Sequence, residues 1–338
     1  MSTTEGHSEA ASPTLAEVLS KGADPVFSLH PISGFWRRFF AFFIDGIVLG
    51  LVGQVIAFSM SPILFEIGPY GHIVGNVIAL LYFGLMNSRL GRGQTLGKRV
   101  MHAAVRDAEG KPIGIGRSML RTSIWLVPAT LNGWTIPLLE HPVAKYALTI
   151  VVLGIGGAVL ATMVFNRKTR QGLHDMLTET YVLRLDEQSV EALPATPRGQ
   201  WKLAGVMVLI ALVIATSAPF LVPHIAPNLQ QLTDLQRALL AGDRFFNAGV
   251  TDQTVIEEGK NVRVLKISIW CKGKPVEPGR TVMMNDIART ALTFPDINRF
   301  DLIRIELTSA YDLGIASGNS THYDGETVST WRERVGRR

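Results

Sequence analysis

The sequence predicts an α-helical multi-pass membrane bundle of about five transmembrane helices, followed by a small soluble α+β domain. Three observations carry that prediction. Five apolar runs lie between positions 38 and 222 of the 338-residue chain, each close to the ~20 residues that cross a hydrocarbon core. Lys and Arg gather in alternate connections between the runs, the asymmetry that orients membrane helices. Beyond residue 223 the long runs give way to short alternating stretches and helical spacing, the pattern of a domain that buries its own core. The apolar fraction of 47% is ordinary because this C-terminal segment dilutes the rest.

Residues 1–31 carry Ser, Thr, Ala, Gly and Glu without an apolar core and are expected to be a disordered cytoplasmic segment. They do not form a cleavable signal, since the first hydrophobic stretch is too long and arrives too late. The expected spans are 38–60, 71–88, 118–139, 146–165 and 202–222. The third is broken by Pro128, Asn132, Gly133 and Pro137, which a helix tolerates where neighbours satisfy the freed backbone groups. Between Arg89 and Arg117 there are seven Lys/Arg against two acids, and Arg37 and Arg38 precede the first span. The turn from Ser61 to Tyr70 has no Lys or Arg, and Glu140 to Lys145 has one. The connection after the fourth span opens with Arg167, Lys168 and Arg170 and turns acidic near Asp186, Glu187 and Glu191. These charges place the N-terminus and the linker 184–201 in the cytoplasm, and residues 223–338 outside. The net charge of +5 therefore speaks for topology and for contact with the lipid bilayer, not for nucleic acid.

Asp45 stands inside the first span, where an acid costs roughly 2.5–3.5 kcal/mol on insertion scales and needs a partner or water. Arg38, seven residues earlier, falls on nearly the same face about 10 Å along the axis. Two readings follow. Asp45 pairs with Arg38 or Arg121 and fixes helix packing, or Arg38, Asp45, Arg121, His174 and Asp175 line a polar path for ions. Gly46 and Gly50, with Gly53 beyond, have the spacing that lets another helix approach. The loop Leu90 to Val100 is Gly-rich but fails as a phosphate cradle, because Arg92 stands where the first glycine belongs and Arg99 follows Lys98. Gly93, Gln94, Thr95, Gly97 and Lys98 remain as a cytoplasmic loop motif. Val105 to Gly116 reads as a hairpin with its turn at Asp107 to Gly110. The adjacent His174 and Asp175 fit a capping device better than a proton shuttle.

Four blocks together resemble a known family. GFWRRFFAFFID (Gly34 to Asp45), GQTLGKR (Gly93 to Arg99), LRT (Leu120 to Thr122) and QGLHD (Gln171 to Asp175) are similar to the RDD family of bacterial membrane proteins. That family is named for one arginine and two aspartates, which match Arg38, Asp45 and Asp175. The resemblance covers about 32–183, a membrane domain with four spans, and leaves the fifth helix (202–222) and the domain 223–338 outside it. Glu179 departs from the small residue common at its place. The resemblance implies a bacterial cytoplasmic membrane protein with a transport role, sodium/proton exchange being reported for some relatives.

In the outer domain Leu232, Leu235, Leu239 and Phe246 recur at helical spacing. Leu265, Ile267 and Ile269 alternate as in a half-buried strand, Met284, Ile287, Ala288 and Ala291 share a helix face, and Ile303, Ile305 and Leu307 alternate again. A further strand is expected over Asp312 to Ser317, completing an α+β sandwich. The single Cys271 allows no intramolecular disulfide, and the eight histidines show no zinc spacing. Asp312, Ser317, His322 and Asp324 have the residue types of a hydrolase but no motif that frames them. The chain is read as a non-enzyme without cofactor or catalytic residues. It is transport-associated or, alternatively, a scaffold or sensor whose outer domain binds a protein or ligand. A homo-oligomer would supply the walls that five spans lack.

Overall fold

The computed structural model describes residues 32–133, 142–186, 193–225, 228–242, 244–257 and 259–336. The N-terminal segment 1–31, the end of the expected third span (134–139) and the acidic linker residues Glu187 and Glu191 lie outside them.

The first apolar run folds as α1 (Phe35–Ile67), 33 residues and thus about 50 Å long. Pro62 removes a backbone donor inside it, and Met60 leaves helical geometry (φ −124°, ψ 17°), so the helix kinks there. It ends at Gly68, whose φ of +53° suits a residue without Cβ. A 3-10 turn at Gly68–Tyr70 leads into α2 (Gly71–Met86), antiparallel to α1, with Phe42 stacked on Phe83. One stripe of α1 is buried, running through Arg38, Ala41, Asp45, Leu49, Gly53 and Ala57. The opposite face exposes Phe43, Leu51, Val55 and Phe58.

After the short α3 (Leu96–Val100) and strand β1 (Ala103–Arg106) comes α4 (Ile115–Leu131), which packs antiparallel on α2 with Met119 against Gly84. Next, α5 (Pro142–Thr149), a π-helical stretch (Ile150–Gly156) and α6 (Gly157–Phe165) make one apolar length. Gly154 lets it lie close to Val208 and Ala211 of the long helix α8 (Arg198–Ile225). Among the described residues, three helical stretches are long and apolar enough to cross a membrane: Phe35–Met86, Val143–Phe165 and Arg198–Leu221. The first contains both α1 and α2. Helix α4, 17 residues long with Arg117 and Arg121 in its first two turns, is not among them.

Between α6 and α8 lie the short α7 (Leu173–Leu177) and β2 (Tyr181–Arg184). Here the expected hairpin is corrected. The turn at Asp107 to Gly110 forms, with Gly110 N–H donating to the Asp107 carbonyl, but β1 pairs with β2, from Ala103 opposite Arg184 to Arg106 opposite Tyr181. Pro112 in the returning segment has no N–H to give a ladder. Ile113 instead packs with Ala103, Val105 and Val182.

The C-terminal domain begins with α9 (Leu229–Leu240) and holds a four-stranded sheet in sequential order. Its strands are β3 (Phe245–Glu257), β4 (Lys260–Cys271), β5 (Leu302–Asp312) and β6 (Ser317–Thr327). The neighbours β4 and β5 are parallel, as the crossover through α10 (Gly279–Leu292) requires, and the other pairs are antiparallel. Leu265, Ile267 and Ile269 meet Ile303, Ile305 and Leu307 on one sheet face, covered by the apolar sides of α9 and α10. Trp331 of α11 (Val328–Gly336) is buried in this core and donates to the Ile303 carbonyl. Two expectations are corrected. Phe246 belongs to β3 rather than to the helix before it, and 313–316 is a turn between β5 and β6, with Asp312 and Ser317 the facing ends of those strands, rather than a further strand. The hydrolase-type residues are separately engaged: Asp312 with His72, His322 with Arg280 and Asp324 with Arg334.

That β5–β6 turn fastens the domain to the helices. Leu313, fully buried, and Ile315 sit between α1 and α2 at Gly53, Gly71 and Gly75. At the rim His72 Nε2 lies 2.7 Å from Asp312 Oδ2. Nearby Gly273 N–H donates to the Phe65 carbonyl, and Lys274 Nζ stands 3.9 Å over the Phe65 ring. A Cβ at Gly75 would fall 1.6 Å from the Leu313 carbonyl oxygen. Gly75→Val is therefore expected to expel the turn, and limited proteolysis in detergent should cut within 312–316 in the variant but not in the wild type. An identical cleavage pattern would contradict this packing.

Candidate functional site

The residues singled out in the sequence converge at the opposite end of the helices, where α1 begins. They form two adjacent clusters, each built around one aspartate.

The first centres on Asp175. The segment Gln171 to Asp175 turns into α7, and the Asp175 side chain reaches back to accept from the N–H of Gly172, the residue before the helix. Its carboxylate then faces two arginines from other helices. Arg121 of α4 donates through Nε and Nη2 to Oδ1 at 2.9 and 2.6 Å, and Arg38 of α1 through Nη1 to Oδ2 at 3.2 Å. Thr180 adds its hydroxyl to Oδ1. Arg38 also donates to the carbonyls of Ser33, Arg170 and Val182, so one guanidinium ties α1 to the α6–α7 connection and to β2. All three charged side chains are buried. Burial raises the Asp175 carboxyl, but the neighbouring positive charges outweigh it and hold the group well below the ordinary carboxylate range. Burial pushes His174 down to about 4, so the ring is neutral near pH 7 and the two arginines carry the effect. His174 Nε2 is 3.5 Å from Asp175 Oδ2.

The second cluster centres on Asp45, and it corrects an expectation. Asp45 pairs with neither Arg38 nor Arg121. Its Oδ1 accepts from Tyr82 at 2.7 Å and from Gly97 N–H at 2.8 Å, and its Oδ2 accepts from Thr95 at 2.6 Å. The loop Gly93 to Lys98 thus cradles an anion after all, but the anion is the protein's own carboxylate. Each loop residue has a task. Gly93 adopts φ +70° under the Val105 carbonyl. Gln94 donates to the Ala103 carbonyl, and Thr95 caps α3 by accepting from Lys98 N–H. Gly97 passes so close to α1 that a Cβ would lie 1.9 Å from the Ala41 carbonyl oxygen. Lys98 Nζ donates to Asn87 at 2.6 Å. With three hydrogen bonds in place, the buried Asp45 charge is compensated without a cation in contact.

Between the clusters lies a cavity of about 350 Å³. Arg38, Asp45, Lys98, Arg121 and His174 contribute to its wall, together with aromatic side chains such as Phe83 and Trp125. Four of the five residues of the expected polar path, Arg38, Asp45, Arg121 and His174, therefore border one space, whereas Asp175 stands behind the two arginines and does not line it. Sequence reasoning missed Tyr82 and Asn87, whose tie to Asp45 and Lys98 no spacing rule announces.

This constellation can be compared with known proteins. The RDD family model matches residues 32–179. The family's arginine and two aspartates are the hubs of the two networks, with Arg38 on Asp175 and Asp45 on the Gly93 to Lys98 loop. The chain is also similar to "Uncharacterized protein YxaI" of Bacillus subtilis (strain 168), 25% identical over 172 residues, which cover 45% of this chain and 96% of that protein. No solved structure matches the chain. The RDD match stops before α8 and the C-terminal domain.

Burial pushes the Lys98 ammonium down to about 7 from 10.5, with Arg121 adding to the effect. The unfolded chain holds this proton up to the higher value and the folded chain only to the lower one. In that window the unfolded state binds more protons, so stability rises with pH from about 7 upward. Thermal unfolding in detergent should show this rise in the wild type, and Lys98→Met should flatten it; a variant that keeps the slope would show that Lys98 is not its source.

Proposed function

We propose that the chain is a five-span protein of the bacterial cytoplasmic membrane, with its N-terminus inside and its C-terminal domain outside. In this reading it is a membrane-anchored sensor or scaffold: the outer domain binds a protein or ligand and the helices carry that event to the cytoplasmic end. The observation that carries the reading is the seat of the turn at Leu313 to Ala316 between α1 and α2. A domain that merely hung from α8 would have no use for a wedge inside the first hairpin. The orientation fits the charges, since Arg37, Arg38, the Arg89 to Arg117 loop and the Arg167 to Arg170 segment share one end while the C-terminal domain occupies the other. The same α1 that meets the wedge at Gly53 holds Asp45 and Arg38, two and four helical turns away. A shift of the wedge would therefore be felt at both aspartate networks through one rigid element.

A lock tests this coupling. A Cβ at Gly53 would lie 2.7 Å from the Ala316 Cβ, so a small shift gives Gly53→Cys and Ala316→Cys the ~3.8 Å that a disulfide prefers. The native Cys271 is buried, with its thiol pushed up to about 11 by burial, and will not compete. In lipid nanodiscs, closing the lock is expected to slow amide exchange in Leu96–Val100 and around Asp175 relative to the reduced protein. Exchange unchanged at that end would sink the coupling.

A transport reading has its own support in the cavity that reaches Asp45. If sodium ions or protons pass this carboxylate, Asp45→Asn will abolish flux in sealed vesicles. Flux that persists removes Asp45 from the path.

A further inference from the structure

We infer that the cavity between the two aspartate networks is a binding site for the phosphate headgroup of an anionic phospholipid, entered sideways from the bilayer between α1 and α6. Four observations support this site. The space is large enough for a headgroup, about 350 Å³. Its wall is mostly apolar but carries three cations, Arg38, Lys98 and Arg121. The two carboxylates nearby are already engaged: Asp175 takes both arginines, and Asp45 is filled by Tyr82, Thr95 and Gly97. The formal balance of the pocket therefore leaves one cation without a carboxylate. Lys98 makes no ion pair among the described residues, and its ammonium, with three donors, gives one to Asn87.

A second polar group is also unanswered. His174 lines the cavity at 7% exposure, and its Nδ1 has no hydrogen-bond partner among the described residues. A buried polar atom in that state calls for a ligand or water. The geometry of the opening selects the kind of anion. Phe39, Phe42 and Leu160 line the cavity and are 45%, 53% and 67% exposed on the outer surface of the helices. An anion that arrives past such a rim must bring apolar chains with it, and those chains can lie along the rim while the phosphate reaches Lys98. Basic pockets between membrane helices on the cytoplasmic side hold acidic headgroups in this manner. The inference rests on the orientation proposed above but not on the coupling through the wedge.

The test uses the full chain, delipidated in detergent and offered equal amounts of phosphatidylglycerol and phosphatidylcholine, with bound lipid read by native mass spectrometry. The wild type is expected to retain phosphatidylglycerol in preference. Lys98→Met should reduce that preference about tenfold, the scale of one charge-assisted hydrogen bond. Lys111→Gln, which removes an exposed cation at the same end, should leave it unchanged. Because Lys98→Met could perturb the Asp45 loop, Leu160→Trp provides a second variant that blocks the entrance and keeps every charge; it too should lose phosphatidylglycerol. Equal retention of the two lipids by the wild type would overturn the inference, as would equal effects of Lys98→Met and Lys111→Gln. Displacement of phosphatidylglycerol by millimolar inorganic phosphate, with no lipid preference left in its presence, would assign the pocket to a free anion instead.

Discussion

The ion pair that Asp175 makes with Arg38 and Arg121 is the constraint on which the helical half of this protein depends. Each of the three groups would be expensive to bury alone, by several kcal/mol even after relaxation. Together they join α1, α4 and the start of α7, three elements that are far apart in the chain. The remaining donors of Arg38 reach the carbonyls of Ser33, Arg170 and Val182, which closes the network onto β2 and so onto the β1–β2 pair. Asp45 does a different job with similar means. It holds the Gly93 to Lys98 loop against α1, and glycine at position 97 is what allows the contact. A protein with two such networks at one end has a rigid base on which the rest of the helices can be arranged.

At the other end the arrangement is made by shape rather than by charge. The turn that follows β5 presents Leu313 and Ile315 to a groove whose floor is glycine, so backbone meets backbone and apolar side chains fill the space between α1 and α2. Irregular backbone between membrane helices is tolerated only where protein covers it, and here the helices provide that cover. The domain's own core, on the far side of β4 and β5, is independent of this contact. Its wedge belongs to a sheet whose core is built from the domain's own residues.

Much of this was legible in the sequence, and the reasons for the misses are physical. Long apolar runs gave α1, α2, α6 and α8 directly, because length and hydrophobicity suffice to mark them. The alternation in β4 and β5 was readable since those two strands are central and bury one face. The edge strands were not. In β6, SGNSTHYDGET carries one large apolar ring and no alternation, and β3 is half exposed, so periodicity had nothing to report. At the site, the blocks containing Arg38, Asp45, Gly97 and Asp175 could be found, but not who pairs with whom. Arg38 and Asp45 share a face of one helix, which invited the idea that they pair, whereas each finds nearer partners across the tertiary structure. Spacing along a helix says which residues look the same way; it says nothing about what they meet.

The central claim is that Asp175 and Arg121 stabilise the fold through each other rather than separately. A double-mutant cycle of Asp175→Asn, Arg121→Gln and the pair, read by reversible unfolding in detergent, addresses it most directly. Asp175→Asn leaves two buried guanidiniums without their anion and should cost about 3–5 kcal/mol, Arg121→Gln leaves Asp175 with Arg38 alone and should cost less, and the double variant should fall short of the sum by at least about 1 kcal/mol. Strict additivity of the two losses would contradict the account.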